Sequence, residues 1–151
     1  MKAVDRLTIR IWPSAKLLRV SYFALTVGHT TAKVRLCNPH DLAKCAELDL
    51  LVDTGSTYTW VRREVLENLG VRPTARWRFR TIDGRIIERD IGEVAVECLG
   101  ERATRIVVFA ERGDAEVLGV DALEGLRLEV DPTTRQLKKI EALLALWAPA
   151  V

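Results

Sequence analysis

The segment Leu51-Val52-Asp53-Thr54-Gly55-Ser56 constrains this chain more than any other. An acidic residue leaves an apolar strand and is followed at once by Thr and Gly. Asp accepts hydrogen bonds from the backbone that follows it, and Gly takes positive φ where a turn requires it. Two readings are open here. The segment is an ordinary turn between strands, or it is a hydrogen-bonded loop that presents a carboxylate at the floor of a cleft. Asp-Thr-Gly occurs once in the 151 residues.

The flanking sequence organises around this point. Residues 30–36 read as a strand leading towards it. Ser56-Thr57-Tyr58-Thr59-Trp60-Val61 is β-branched and aromatic and reads as a strand leaving it. Residues 62–69 predict a short helix closed by Gly70, with Pro73 as a stop. Residues 77–82 and 85–88 alternate around Asp83-Gly84, which predicts a β-hairpin with a type I′ turn. Strands continue over 93–98 and 102–110 around Leu99-Gly100-Glu101. Then come the apolar Val117-Leu118-Gly119, a helical turn over 121–124, a strand over 126–130 and a turn at Asp131-Pro132-Thr133-Thr134. A glycine after two apolar residues admits close backbone approach.

This order, together with the Asp53 segment, resembles the aspartic proteases, whose active loop reads apolar-apolar-Asp-Thr-Gly-Ser/Ala. Within them it is similar to the retropepsin-like (retroviral-type) family, in particular its small prokaryotic single-domain members, on residues 53–71 and 118–137. The resemblance covers roughly residues 28–140 and implies an all-β fold. That fold is a small closed antiparallel β-barrel of the acid-protease (retropepsin) type with one or two short helices. Residues 1–27 would then be an N-terminal extension, 28–140 the protease domain and 141–151 an apolar tail.

The function implied is aspartic endopeptidase, a hydrolase of peptide bonds. That chemistry needs two carboxylates sharing a proton, one acting as base on a water and the other polarising the scissile carbonyl. One motif in a 17.0 kDa chain takes its second Asp from another subunit, so the resemblance implies a homodimer with an isologous interface. Asp53 would be the catalytic acid/base, and Thr54 would lock the two loops across the dimer axis. Gly55 would bring its amide to the carboxylate, and Gly119 would support the loop from behind. The hairpin would be the flap, placing Ile82, Asp83, Gly84 and Arg85 over an extended peptide or protein substrate, with Ser56 lining the floor. No cofactor and no metal is implied. The competing class is a non-catalytic peptide-binding or dimerisation module on the same fold.

Two features depart from the family pattern. Ser56 stands where retroviral members usually carry Ala. A hydroxyl donated to the carboxylate would stabilise its charged form and shift the activity optimum towards acid. After Gly119 the chain reads Val120-Asp121, and after Ser56 it reads Thr57-Tyr58. Both partners of the ion pair usual in retroviral members are therefore missing, which leaves dimer strength open.

Composition narrows the remainder. Hydrophobic residues make up 48% and charged residues 29%, an ordinary globular balance, and a net charge of +2 gives no argument for nucleic acid. Arg76, Arg78, Arg80, Arg85 and Arg89 flank the hairpin. They read as a solvated strand face balanced by Glu88 and Asp90, or as a preference for acidic substrates. Cys37, Cys45 and Cys98 are odd in number and lack metal-ligand spacing, so free thiols in a reducing cytosol are expected. His29 and His40 read as surface residues. Ser56 has no evident His partner for serine-hydrolase chemistry. Residues 17–27 are apolar but interrupted by Arg19 and too short to span a bilayer, so no membrane partner is expected. Residues 1–27 as a whole read as a signal peptide, with Lys2, Arg6 and Arg10 before the apolar run, as a true extension, or as a segment before a native start near Val27. Ile140, Leu143, Leu144 and Trp147 have helical spacing before Pro149, which predicts a short amphipathic helix over the core or at the dimer contact.

Overall fold

A computed structural model describes residues 29–142. The expected features of residues 1–27 lie outside these residues, as does the helix over 140–147 except at 140–142, which are not helical and where Ile140 is exposed. The described chain is mostly β, as expected, with two short helices. In order it runs β1 (Thr30–Asn38), β2 (Asp41–Val52), β3 (Thr59–Arg62), α1 (Arg63–Asn68), β4 (Ala75–Arg80), β5 (Ile86–Cys98), β6 (Glu101–Ala110), β7 (Val117–Leu118), α2 (Val120–Gly125), β8 (Leu128–Val130) and β9 (Leu137–Lys139). No helix among the described residues is long and apolar enough to cross a membrane.

The main sheet has the order β1-β2-β7-β3-β6-β5-β4, and β1 also pairs with β5. The pairing thus returns on itself through six strands, while β4 hangs from β5 outside the ring. The expected antiparallel pairing holds for most of it, but β2–β7 and β3–β6 are parallel. Parallel neighbours need long crossovers, and the β2–β7 pair arises because β7 inserts between the strands on either side of the Asp53 loop. Sequence alternation shows which face of a strand is buried but not which distant strand lies beside it. β8 and β9 form a separate two-stranded hairpin.

Period-two burial explains the strands. In β1, Thr30, Ala32, Val34 and Leu36 point inward while Thr31, Lys33 and Arg35 face water. The ring closes over a core of fully buried side chains including Leu36, Leu50, Val61, Leu66, Val94, Val107, Phe109 and Leu118. α1 ends as its sequence implies, with Gly70 at φ 78°. The buried Asn38 amide donates to Leu69 O at 2.9 Å, tying that end to the tip of the β1–β2 hairpin.

Two local expectations are corrected. The Asp83-Gly84 hairpin forms, but its turn is not type I′, which needs two successive residues at positive φ. Arg80 and Ile86 are the last paired residues. Gly84 N donates to Thr81 O at 2.9 Å and Thr81 N to Arg85 O at 2.8 Å. Of these turn residues only Gly84, at φ 87°, is left-handed, so the loop is one residue longer, with Gly84 in the bulge position. The two-residue turn with both φ positive lies instead at Leu99 (51°) and Gly100 (81°), between the paired Cys98 and Glu101.

The cysteines are the second correction. Cys37 and Cys45 are register partners across β1 and β2, with Cα atoms 4.1 Å apart, and form a disulfide. Cys98 alone is free, and it is buried. The free-thiol argument for a reducing cytosol therefore fails; the sequence carried no sign that residues 37 and 45 lie opposite one another.

Candidate active site

β2 delivers Asp53 to a tight loop. Gly55 N donates to Asp53 Oδ1 at 2.8 Å, and Ser56 N donates to Asp53 O at 3.1 Å. The Asp side chain thus caps its own turn, as Asp does when followed by small residues. Gly55 does this without positive φ, contrary to expectation. Its use is space, because a Cβ there would stand 3.1 Å from the Asp53 carboxylate. Asp53 and Ser56 are half-buried, whereas Thr54 and Gly55 are exposed.

Residues 118–121 clamp the loop from behind. Asp53 N donates to Leu118 O at 3.0 Å, and Gly119 N to Thr59 Oγ1 at 3.1 Å. Val120 N reaches Ser56 O and Asp121 N reaches Thr57 O, each at 2.8 Å. Gly119 is required by contact: a Cβ would lie 2.3 Å from Tyr58 O. Asp53, Thr54, Gly55, Ser56 and Gly119, separated by more than 60 residues at the extremes, are thereby brought into one structure.

The Ser56 hydroxyl is committed elsewhere than expected. It donates to Tyr58 O at 2.8 Å and braces the loop exit, so the stated ground for an acid-shifted optimum is gone. The Arg stripe behaves as a solvated face. Arg76 pairs with Asp90 at 3.2 Å, Arg85 with Asp83 at 2.9 Å and Arg89 with Asp114 at 2.6 Å. His40 lies at the surface.

Ile82, Asp83, Gly84 and Arg85 form the hairpin tip, all exposed. Asp83 accepts from Thr81 Oγ1 and from Arg85, which hold its carboxyl below the usual carboxylate range. Aromatic residues, which the sequence reading placed only as strand formers, join the hairpin to the loop. Trp77 packs on Tyr58 with ring centroids 5.5 Å apart, and Phe79 on Trp60 at 5.0 Å, edge to face. All four are half-buried, on the face of β4 opposite Arg76, Arg78 and Arg80. The signal was present as aromatics two apart in both segments.

A buried acid was also missed. Glu116, 3% exposed, accepts from Arg62 N at 3.0 Å, while its Oε2 has no partner among the described residues. Burial pushes its pKa up to about 7. A lone acid beside the apolar Val117-Leu118 was its only trace in the sequence.

The geometry is thus a carboxylate on a braced loop, backed by a glycine-bearing strand and joined through aromatics to an exposed hairpin. The aspartyl protease family matches over residues 39–122, which span Asp53, the hairpin and Gly119. The match takes in more than half of the chain, and the chain belongs to that family. Comparison with curated proteins gives no match. Three similar solved structures are proteases. Simian foamy virus (mac) protease is 19% identical, over 62% of this chain and 91% of that one, with a TM-score of 0.42. EIAV protease, solved with an inhibitor, is 18% identical over 64% and 86%, with a TM-score of 0.44. A retropepsin-like aspartic protease from Rickettsia conorii is 18% identical over 70% and 86%, with a TM-score of 0.40.

Proposed function

We propose that the protein is an aspartic endopeptidase that works as a homodimer, each subunit contributing one Asp53. The observation that carries this reading is the Asp53 loop itself. A half-buried carboxylate is fixed by Gly55 N at 2.8 Å and clamped from behind by residues 118–121, in a chain of the aspartyl protease family. One such loop holds one carboxylate, and the reaction needs two that share a proton. The exposure of Thr54 and Gly55 suits a face that meets its twofold mate.

In the dimer one Asp53 takes a proton from the attacking water as the other, protonated, hydrogen-bonds the scissile carbonyl. The negative oxygen that develops is held by that proton, and the leaving nitrogen is protonated from the same pair. Thr54 sits at the loop-to-loop contact. Ile82, Asp83, Gly84 and Arg85 close over an extended peptide, with Ser56 beneath it. No cofactor takes part.

The test is cleavage of a diverse peptide library across pH 3 to 8, comparing wild type with Asp53→Asn. Cleavage by wild type alone, with specific activity rising with protein concentration as dimers form, is expected. A sample shown to be dimeric that cuts nothing would instead favour the peptide-binding module.

A further inference from the structure

We propose that Arg105 is a positioning residue for the catalytic loop, acting through Asp121; the inference rests on the peptidase reading above. Arg105 lies on β6, outside the loop and its clamp. Its guanidinium grips Asp121 with two parallel bonds, Nε to Oδ2 at 3.0 Å and Nη2 to Oδ1 at 2.6 Å. Such bidentate pairs fix orientation as well as adding energy.

What makes this pair more than a helix-end contact is the second bond of Asp121. Its backbone N–H donates to Thr57 O at 2.8 Å, next to the Val120 N bond to Ser56 O. The side chain of one residue is thus held by β6 while its main chain holds the loop four residues from Asp53. Rotation of Asp121 would lengthen both loop bonds together. The seat of the arginine is specific too. A Cβ at Gly125 would stand 2.7 Å from Arg105 Nε and 2.8 Å from its Cδ, so the guanidinium lies across a position with no side chain. Arg105, Asp121 and Gly125 form one device, and Arg105 touches neither Asp53 nor the loop directly.

Gly125 supplies the discriminating variant. It closes α2, where alanine is favoured over glycine, yet a methyl there displaces Arg105. Stability and activity are therefore expected to move in opposite directions. The experiment measures kcat, KM, Tm and backbone amide exchange over residues 53–58 in wild type, Arg105→Gln, Arg105→Lys and Gly125→Ala. Arg105→Gln should lower kcat about tenfold with KM nearly unchanged, since small displacements of reacting groups are that costly. Arg105→Lys should recover part of the loss. Gly125→Ala should lower kcat without lowering Tm, and exchange at residues 55–58 should quicken in both Arg105→Gln and Gly125→Ala. Unchanged kcat and exchange in these two variants would overturn the proposal, as would losses that simply follow Tm or the dimer fraction. If wild type cuts no peptide the peptidase reading fails by itself, and the exchange rates still decide whether Arg105 holds the loop.

Discussion

Gly119 and Glu116 sit three residues apart and show how differently single positions bear on the site. At Gly119 a methyl would meet the Tyr58 carbonyl at 2.3 Å, and backbone rather than a flexible side chain is what must yield. Gly119→Ala is expected to cost about 2–3 kcal/mol by overpacking, read by chemical denaturation, and to loosen the Asp53 loop with it. Glu116 acts through protonation. Its folded pKa of about 7 lies above its ordinary 4.5, so the folded state holds a proton that the unfolded chain releases. Its contribution is therefore complete below about pH 4.5 and is lost as pH rises to about 7, with a ceiling of roughly 3 kcal/mol. Glu116→Gln should flatten the fall in stability across that window, measured as Tm against pH. The lowered pKa values of Asp83, Asp90 and Asp131 act below 3.8, outside it. Asp53 and Gly119 could be singled out in the sequence because each sits in a short motif that the family resemblance carries. Glu116, Arg105 and Asp121 could not, since their roles depend on burial and on partners far along the chain.

Among the elements, hairpins were easier to place than their turns. The strands around Asp83-Gly84 could be read from alternation, but Asp-Gly occupies a longer loop closed by Thr81 and Arg85. The two-residue turn fell to Leu99-Gly100, where a leucine accepts φ 51°. Register decides such cases, and register comes from the buried face rather than from the dipeptide. The β1–β2 hairpin carries the disulfide close to its tip, where β1 also meets β5 over Arg35, Leu36 and Cys37. Thiol titration of the unfolded protein should find one free thiol before reduction and three after it. Cys45→Ser should lower stability by about 2.5 kcal/mol, the loop-closure value for a bridge of this span. A count of three thiols in protein purified without reductant would remove the bridge and restore the free-thiol expectation.

At the scale of the whole molecule, the run of elements followed from strand periodicity and the β class from the family resemblance, whereas the strand order around the ring did not. The parallel contacts of β7 with β2 and of β6 with β3 join segments far apart in sequence. No local pattern encodes them; what selects them is burial of Leu118, Val61 and Phe109 in one core. β4 is paired with β5 alone, so its far side is an open lateral edge of the main sheet. An open edge invites a second copy of the protein to add its own strand, the first step towards fibrous aggregates. On β4 every second residue is a cation, Arg76, Arg78 and Arg80, so two such edges brought side by side set like charges opposite one another. Arg76→Thr, Arg78→Thr and Arg80→Thr together should speed aggregation on mild heating, followed by light scattering, with little change in secondary structure beforehand. The arginine stripe thus works as a colloidal guard: an edge open to an intruding copy of this chain carries the charge that turns that copy away.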